Sequence, residues 1–135
     1  LLILVVAMFF TKIVVYNFLI VLLFLILTTL VFSLAGLVNG VYAKSIDGIN
    51  IVPTFVLTPL VYLGGVFYSI SILPPFWQSV SHFNPIFYII NGFRYGFLGT
   101  SDVSLGMAVS ILLALATALV GINLYLIKNG LGLRQ

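Results

Sequence analysis

The chain has 135 residues, of which 63% are hydrophobic and only 5% are charged. Soluble domains carry about 25% charged residues, so this composition excludes a soluble globular protein and predicts an all-α, polytopic membrane helix bundle. The net charge of +3 comes from scattered Lys and Arg residues, which cannot form a basic patch that follows nucleic-acid phosphates. The sequence has no cysteine, which excludes disulfides, thiolate catalysis and cysteine-ligated metals.

Apolar runs, taken in chain order, predict the membrane spans. Residues 1–10 are too few to cross a hydrocarbon core of about 30 Å, so we interpret them as part of a span. The uncharged run at 18–43 would make a helix of about 39 Å, which is long enough to cross. The polar residues that follow predict a tight cytoplasmic turn containing Lys44 and Asp47.

The second half of the chain predicts two further spans, at 51–73 and 105–127. Pro59 removes an amide donor and should kink the first of them, either beside a pathway or harmlessly inside the bundle. Between the two spans, prolines open the region 74–99 and an Asn-Pro pair interrupts it. These features predict a broken, re-entrant helical region. Broken helices at membrane depth are tolerated only where protein or water surrounds them, so this region should line a cavity or an interface.

The distribution of basic residues suggests an orientation in the membrane. If Lys128 and Arg134 lie in the cytoplasm, counting back across the two predicted spans, 105–127 and 51–73, places Lys44 on the same side. The region 74–99 then faces the outside of the cell. Its aromatic residues resemble an interfacial belt, which usually anchors a protein at the membrane surface.

A helix at 85–98 would place several polar side chains on one stripe. Members of this stripe are Asn84, Tyr88, Asn91 and Tyr95, with Arg94 beside them. Because an arginine inside a membrane costs about 2.5 to 3.5 kcal/mol on insertion scales, it should face an interior, a cavity or the interface. We interpret Tyr88, Asn91 and Arg94 as candidate translocation-path or outer-mouth residues. The alternative is that Arg94 reaches the lipid headgroups or anchors the segment through backbone carbonyls.

Two pairs of glycines have the four-residue spacing that allows membrane helices to approach closely. We interpret Gly36 and Gly40, and also Gly92 and Gly96, as candidate helix-packing positions. Chance is the alternative, because glycine is common in membrane helices.

The sequence predicts no catalytic, metal-binding or cofactor-binding residue. His82 has no carboxylate or second histidine at the spacing of a metal site or a catalytic triad. No serine lies in a nucleophile elbow, and Lys44-Ser45 lacks the glycines of a phosphate-binding loop. The chain is therefore not expected to be an enzyme or to bind ATP itself.

Several short motifs occur together in a fixed order: a glycine-rich span end, Leu-Pro, an aromatic residue, Asn-Pro and an arginine. They are represented here by Gly64, Gly65, Leu73, Pro74, Trp77, Asn84, Pro85 and Arg94. In this order and spacing the sequence resembles the C-terminal half of ABC-2 type transporter permeases. The upstream run LAGLVNGVYAKSIDGINIVPTFVLTPL is similar to the family's fourth span, cytoplasmic turn and fifth span.

The resemblance implies that residues 1–135 are the C-terminal part of a permease domain in the bacterial inner membrane. It implies a subunit of an ATP-driven exporter that pairs with a second permease subunit, as a homodimer, and contacts membrane lipids. ATP would be bound and hydrolysed by a separate ABC ATP-binding subunit. The region matching 74–99 would form two short helices that re-enter the membrane from outside. The alternative function is a structural or assembly subunit that packs against a membrane partner without transporting.

Overall fold

The computed structural model describes residues 6, 9–10, 14–43 and 46–129. Within these ranges all regular structure is helical, which confirms the predicted all-α membrane helix bundle. Two helices in the described part are long and apolar enough to cross a membrane, Phe18–Tyr42 and Leu105–Lys128. Most of the partial span predicted at 1–10, and Lys44, lie outside the described residues.

The first long helix, α1, is Phe18–Tyr42. The Ile20 amide donates to the side-chain oxygen of Asn17 at 3.2 Å, so Asn17 caps the helix and satisfies one of its free amides. The helix carries apolar side chains on all its faces, which is typical of a helix that contacts lipid as well as protein. α1 therefore begins close to the boundary that the apolar run predicts.

The apolar run at 51–73 does not form one continuous helix. The chain is α-helical at Ile46–Ile51 (α2), forms a π-helix at Val52–Leu57, and returns to α-helix at Thr58–Leu63 (α3). After α3 the chain turns, and a short 3₁₀-helix at Ile70–Ile72 follows before Leu73. Hydropathy detects the apolar side chains of this run but not the backbone break inside it.

Two local causes explain the shape of this segment. Pro59 has no amide to donate and its ring crowds the preceding turn, and the wider π-helical turn just before it relieves that crowding. Thr58 Oγ1 donates to the Pro53 carbonyl at 3.3 Å across the same turn. Gly65 then adopts a φ of +80°, a conformation that favours glycine, and it turns the chain away from the helix axis.

The region 74–99, in which the prolines predict a break, consists of two short helices. Pro75–His82 forms α4 and Pro85–Leu98 forms α5, and each begins with proline at the position where a missing amide costs nothing. Asn84 separates them and caps α5, accepting from the Ile86 amide at 3.0 Å. Gly99 ends α5 with a φ of +75°. The last long helix, Leu105–Lys128 (α6), is capped by Ser104.

Helices α1, α5 and α6 pack against one another and enclose the core. Phe24 of α1, Phe87 of α5 and Leu112 of α6 are each no more than 1% exposed. Helices α3 and α4 pack against α5 from the side, so α5 is held between the long helices and the broken segments. This position makes α5 the helix on which the candidate site depends.

Asn123 forms a polar contact inside the bundle. Its side-chain nitrogen Nδ2 donates to the Leu34 carbonyl of α1 at 3.0 Å and to the Leu119 carbonyl of its own helix at 2.8 Å.

We expect Asn123→Leu to weaken α1–α6 packing by about 0.6 to 1.7 kcal/mol, the range of interhelical hydrogen bonds in membranes. SDS-induced unfolding followed by circular dichroism measures the change. Asn129→Leu is the matched control, because the side-chain hydrogen bond of Asn129 within the described residues goes to Tyr125 of the same helix end, and equal midpoints for both variants would contradict the prediction.

Candidate functional site

Arg94 joins two chain segments that are distant in sequence. One guanidinium nitrogen, Nη1, donates to Asp102 Oδ2 at 2.8 Å, and the other, Nη2, donates to the Gly65 carbonyl at 2.9 Å. Asp102 lies in the connection between α5 and α6, and Gly65 lies in the turn that ends α3. We call Arg94, Gly65 and Asp102 the clamp. The planar fork of an arginine suits this double attachment, which a lysine cannot reproduce.

Asn91 supports the clamp from one turn earlier on α5. Its side-chain oxygen accepts from the Asp102 amide at 2.8 Å and from Ser101 Oγ at 3.3 Å, while its nitrogen donates to the Phe87 carbonyl at 2.9 Å. Asn91 is 1% exposed, so these bonds are shielded from water. Because an unsatisfied buried amide is costly, Asn91 fixes the conformation of the α5–α6 connection.

The other polar residues of the predicted stripe are also bonded within the chain. Tyr88 Oη donates to the His82 carbonyl at 2.7 Å, and Asn84 Nδ2 donates to the Leu60 carbonyl at 2.6 Å. Tyr95 meets the ring of Tyr16 edge to face at 5.7 Å. The stripe therefore ties α5 to α3, α4 and the start of α1 in this conformation.

The three candidate path residues thus lie together on α5, and their polar atoms point at neighbouring backbone and at Asp102. Tyr88 and Asn91 are buried, and the Arg94 side chain is 21% exposed. The bond from Arg94 to the Gly65 carbonyl matches the alternative interpretation, in which Arg94 anchors the segment through backbone carbonyls. Any role in a path requires a second conformation in which these side chains become accessible.

Asp102 is the residue of this site that the sequence analysis missed. One signal was available in the sequence, since Asp102 follows Arg94 by eight residues and a charge near a membrane needs a partner. The pairing nevertheless depends on how the connection folds back over α5, which spacing does not determine.

The two glycine pairs have different surroundings. A Cβ on Gly92 would lie 2.1 Å from ring atoms of Phe24, and a Cβ on Gly96 would lie 2.5 Å from Val21 Cγ2, so both face α1 directly. No atom of the described residues lies within 4 Å of a Cβ built on Gly36 or Gly40. The latter two line an open groove on α1.

At the opposite end of α1, the first loop after it is held by a side chain. Asn39 Nδ2 donates to the Ile49 carbonyl of α2 at 3.0 Å. Asp47, a candidate for the cytoplasmic turn, belongs to the helical backbone of α2 rather than to an irregular turn. The described part of the chain holds no group of His, Cys, Asp and Glu that could bind a metal ion.

Comparisons with known proteins agree with the resemblance seen in the sequence. Residues 1–98 match the family model described as ABC-2 type transporter. The chain is 55% identical over 130 residues to inner membrane transport permease YadH of Escherichia coli K12, and equally to those of Escherichia coli O157:H7 and Shigella flexneri. Each match covers 96% of this chain and 51% of the relative, so the chain spans about half the length of the curated relatives it matches.

No solved structure matches the chain significantly. The family match covers well over half of the sequence and includes α1 to α5 with Arg94 and the glycine pairs. The chain therefore belongs to the ABC-2 type transporter family.

Proposed function

We propose that this chain is part of the transmembrane permease subunit of an ATP-driven exporter in the bacterial inner membrane. Membership of the ABC-2 type transporter family is the observation that carries the proposal. The name of its relatives, inner membrane transport permease, supports the location and the transport role. ATP would be hydrolysed by a separate ABC ATP-binding subunit, and two permease subunits would pair to enclose the path.

The candidate path runs beside α5, the helix that the clamp holds in place. Tyr88, Asn91 and Arg94 are proposed to line the outer mouth once α5 moves relative to α1 and α6. Nucleotide binding by the partner would supply that movement by changing how the paired permeases pack, as in other rigid-body transitions. Helix α5 suits this role because short broken helices can shift at their ends, where prolines and glycines interrupt the backbone.

A cysteine introduced at position 88 tests this proposal, because the 135-residue sequence contains no cysteine that would also be labelled. Tyr88 is 3% exposed, so Tyr88→Cys should react slowly with a water-soluble maleimide in the resting complex. Adding ATP to the permease with its ATPase partner is expected to raise the labelling rate. Thr100→Cys, at an exposed position in the α5–α6 connection, should react at one rate throughout. Equal rates with and without ATP at position 88 would contradict the path assignment.

The open groove on α1 favours a second candidate, a membrane subunit that packs against a partner and transports nothing. Helix contacts at Gly36 and Gly40 would suit assembly as well as transport. ATP-dependent labelling at position 88 separates the two functions, because a purely structural subunit has no reason to expose Tyr88 when ATP binds elsewhere.

A further inference from the structure

A small polar pocket of about 240 Å³ lies between α4 and the α5–α6 connection. Gln78 and His82 stand one helical turn apart on the same face of α4, and Asp102 completes the polar rim. The buried side chains of Ile70 and Phe87 form an apolar floor. The pocket therefore combines a carboxylate with an apolar surface in a volume suited to a small head group.

Asp102 can bind a ligand without leaving the clamp. Its Oδ2 accepts from Arg94 Nη1 at 2.8 Å and from Ser69 Oγ at 3.3 Å. Within the part of the chain that the structure describes, the hydrogen bonds to this carboxylate all reach Oδ2. The side chain is 37% exposed, and a carboxylate accepts about four hydrogen bonds in total. Oδ1 is thus available to a donor in the pocket.

Helix α4 indicates the depth at which the pocket opens. Phe76, Trp77 and Phe83 are 69%, 44% and 91% exposed, and Phe76 and Phe83 lie on one face, seven residues apart. Gln78 and His82 occupy the opposite face. A helix of this kind lies in the membrane surface with its aromatic face toward the acyl chains and its polar face among the headgroups. The pocket then opens where lipid headgroups are concentrated.

We propose that this pocket binds the primary ammonium group of an ethanolamine phospholipid headgroup. The ammonium would donate to Asp102 Oδ1, and the adjoining methylene groups would lie on the apolar floor. Arg94 already balances the charge of Asp102, so a second cation needs its own anion nearby, and the phosphate of a zwitterionic lipid supplies one. A choline headgroup offers no N–H donor and cannot make the same bond. This binding requires α4 to lie at the membrane surface and does not depend on ATP-driven export.

The first test compares headgroups on the unaltered protein. Native mass spectrometry in detergent would measure bound lipid from equimolar phosphatidylethanolamine, its N-methyl and N,N-dimethyl forms, and phosphatidylcholine with matched acyl chains. We expect phosphatidylethanolamine to bind about tenfold more tightly than phosphatidylcholine, with the methylated forms between them, because each methyl group removes a donor. Equal binding across the series would overturn the proposal.

The second test changes the carboxylate. Asp102→Asn is expected to lower the ratio between the two lipids, because a neutral amide oxygen accepts a weaker hydrogen bond from the ammonium than a carboxylate oxygen does. Asp47→Asn, which alters the other acid of this chain, should leave the ratio unchanged. A full preference retained by Asp102→Asn would overturn the proposal. If that variant does not fold, the headgroup series on the unaltered protein decides alone.

The third test separates a lipid from a soluble amine with the same chemistry. Glycerophosphoethanolamine carries the headgroup without acyl chains, and we expect it to displace the lipid only at concentrations far above those of the lipid itself. This follows because acyl chains beside the aromatic face of α4 add apolar contact. Displacement at equal concentration would assign the pocket to a soluble amine and overturn the lipid proposal.

Discussion

We expect Gly92→Ala to destabilise the bundle by about 3 kcal/mol, the upper part of the usual range for overpacking a core. The added Cβ would lie 2.1 Å from Cδ1 and Cε1 of Phe24, whose ring is fully buried in the core. A buried ring cannot rotate away as the end of a flexible side chain can, so α5 must move off α1. The midpoint of SDS-induced unfolding, followed by circular dichroism, measures the loss.

Gly106→Ala is the matched control for this substitution. Within the part of the chain that the structure describes, no atom lies within 4 Å of a Cβ on Gly106, and replacing a helical glycine by alanine is neutral or stabilising by about 0.5 to 1 kcal/mol. The steric account also predicts that Gly92→Ala and Phe24→Ala, combined, cost less than the sum of the two single changes. Additive effects, or a Gly92→Ala variant as stable as Gly106→Ala, would contradict it.

Removing Arg94 is expected to have the second largest effect. Arg94→Ala takes away the donors to Asp102 and to the Gly65 carbonyl together, and hydrogen bonds to charged groups contribute about 1.5 to 3 kcal/mol. The partial exposure of both side chains keeps the cost below that of a fully buried ion pair. We expect a loss of about 2 kcal/mol in the free energy of unfolding.

Arg94→Lys separates charge from geometry, because lysine keeps the positive charge but not the fork. We expect it to retain about half of the stability that Arg94→Ala loses. A double-mutant cycle with Asp102→Ala should show a coupling of about 1 kcal/mol or more. Zero coupling would mean that the ion pair contributes nothing. If Arg94→Ala also left assembly and ATP-dependent export unchanged, Arg94 would not belong to the path or its support.

Local features of the fold were predictable from sequence because their causes are local. The prolines and the Asn-Pro pair interrupt the helix in the region 74–99 whatever structure surrounds it. The caps at Asn84 and Ser104 depend on a few neighbouring residues. The end of α3 was not predicted, because hydropathy stays high through a stretch where the backbone of Gly65 turns.

The candidate site was predictable only in part, because only some of its features have local causes. Helical periodicity correctly placed Tyr88, Asn91 and Arg94 on one helix, α5. Their bonding partners come from other segments, namely the turn after α3, the end of α4 and the α5–α6 connection. Periodicity along one helix carries no information on such contacts. Asp102 therefore became visible as the partner of Arg94 only in the folded chain.

The most direct test of the permease proposal is purification of the full-length protein from membranes in mild detergent. We predict that an ABC ATP-binding subunit co-purifies in fixed proportion, and that its ATP hydrolysis changes when the complex is reconstituted in lipid. A protein that purifies without an ATPase, under conditions that keep a known exporter of this type intact, would contradict the proposal. The structural alternative would then take precedence, and the membrane partner of the groove at Gly36 and Gly40 would be the next object of study.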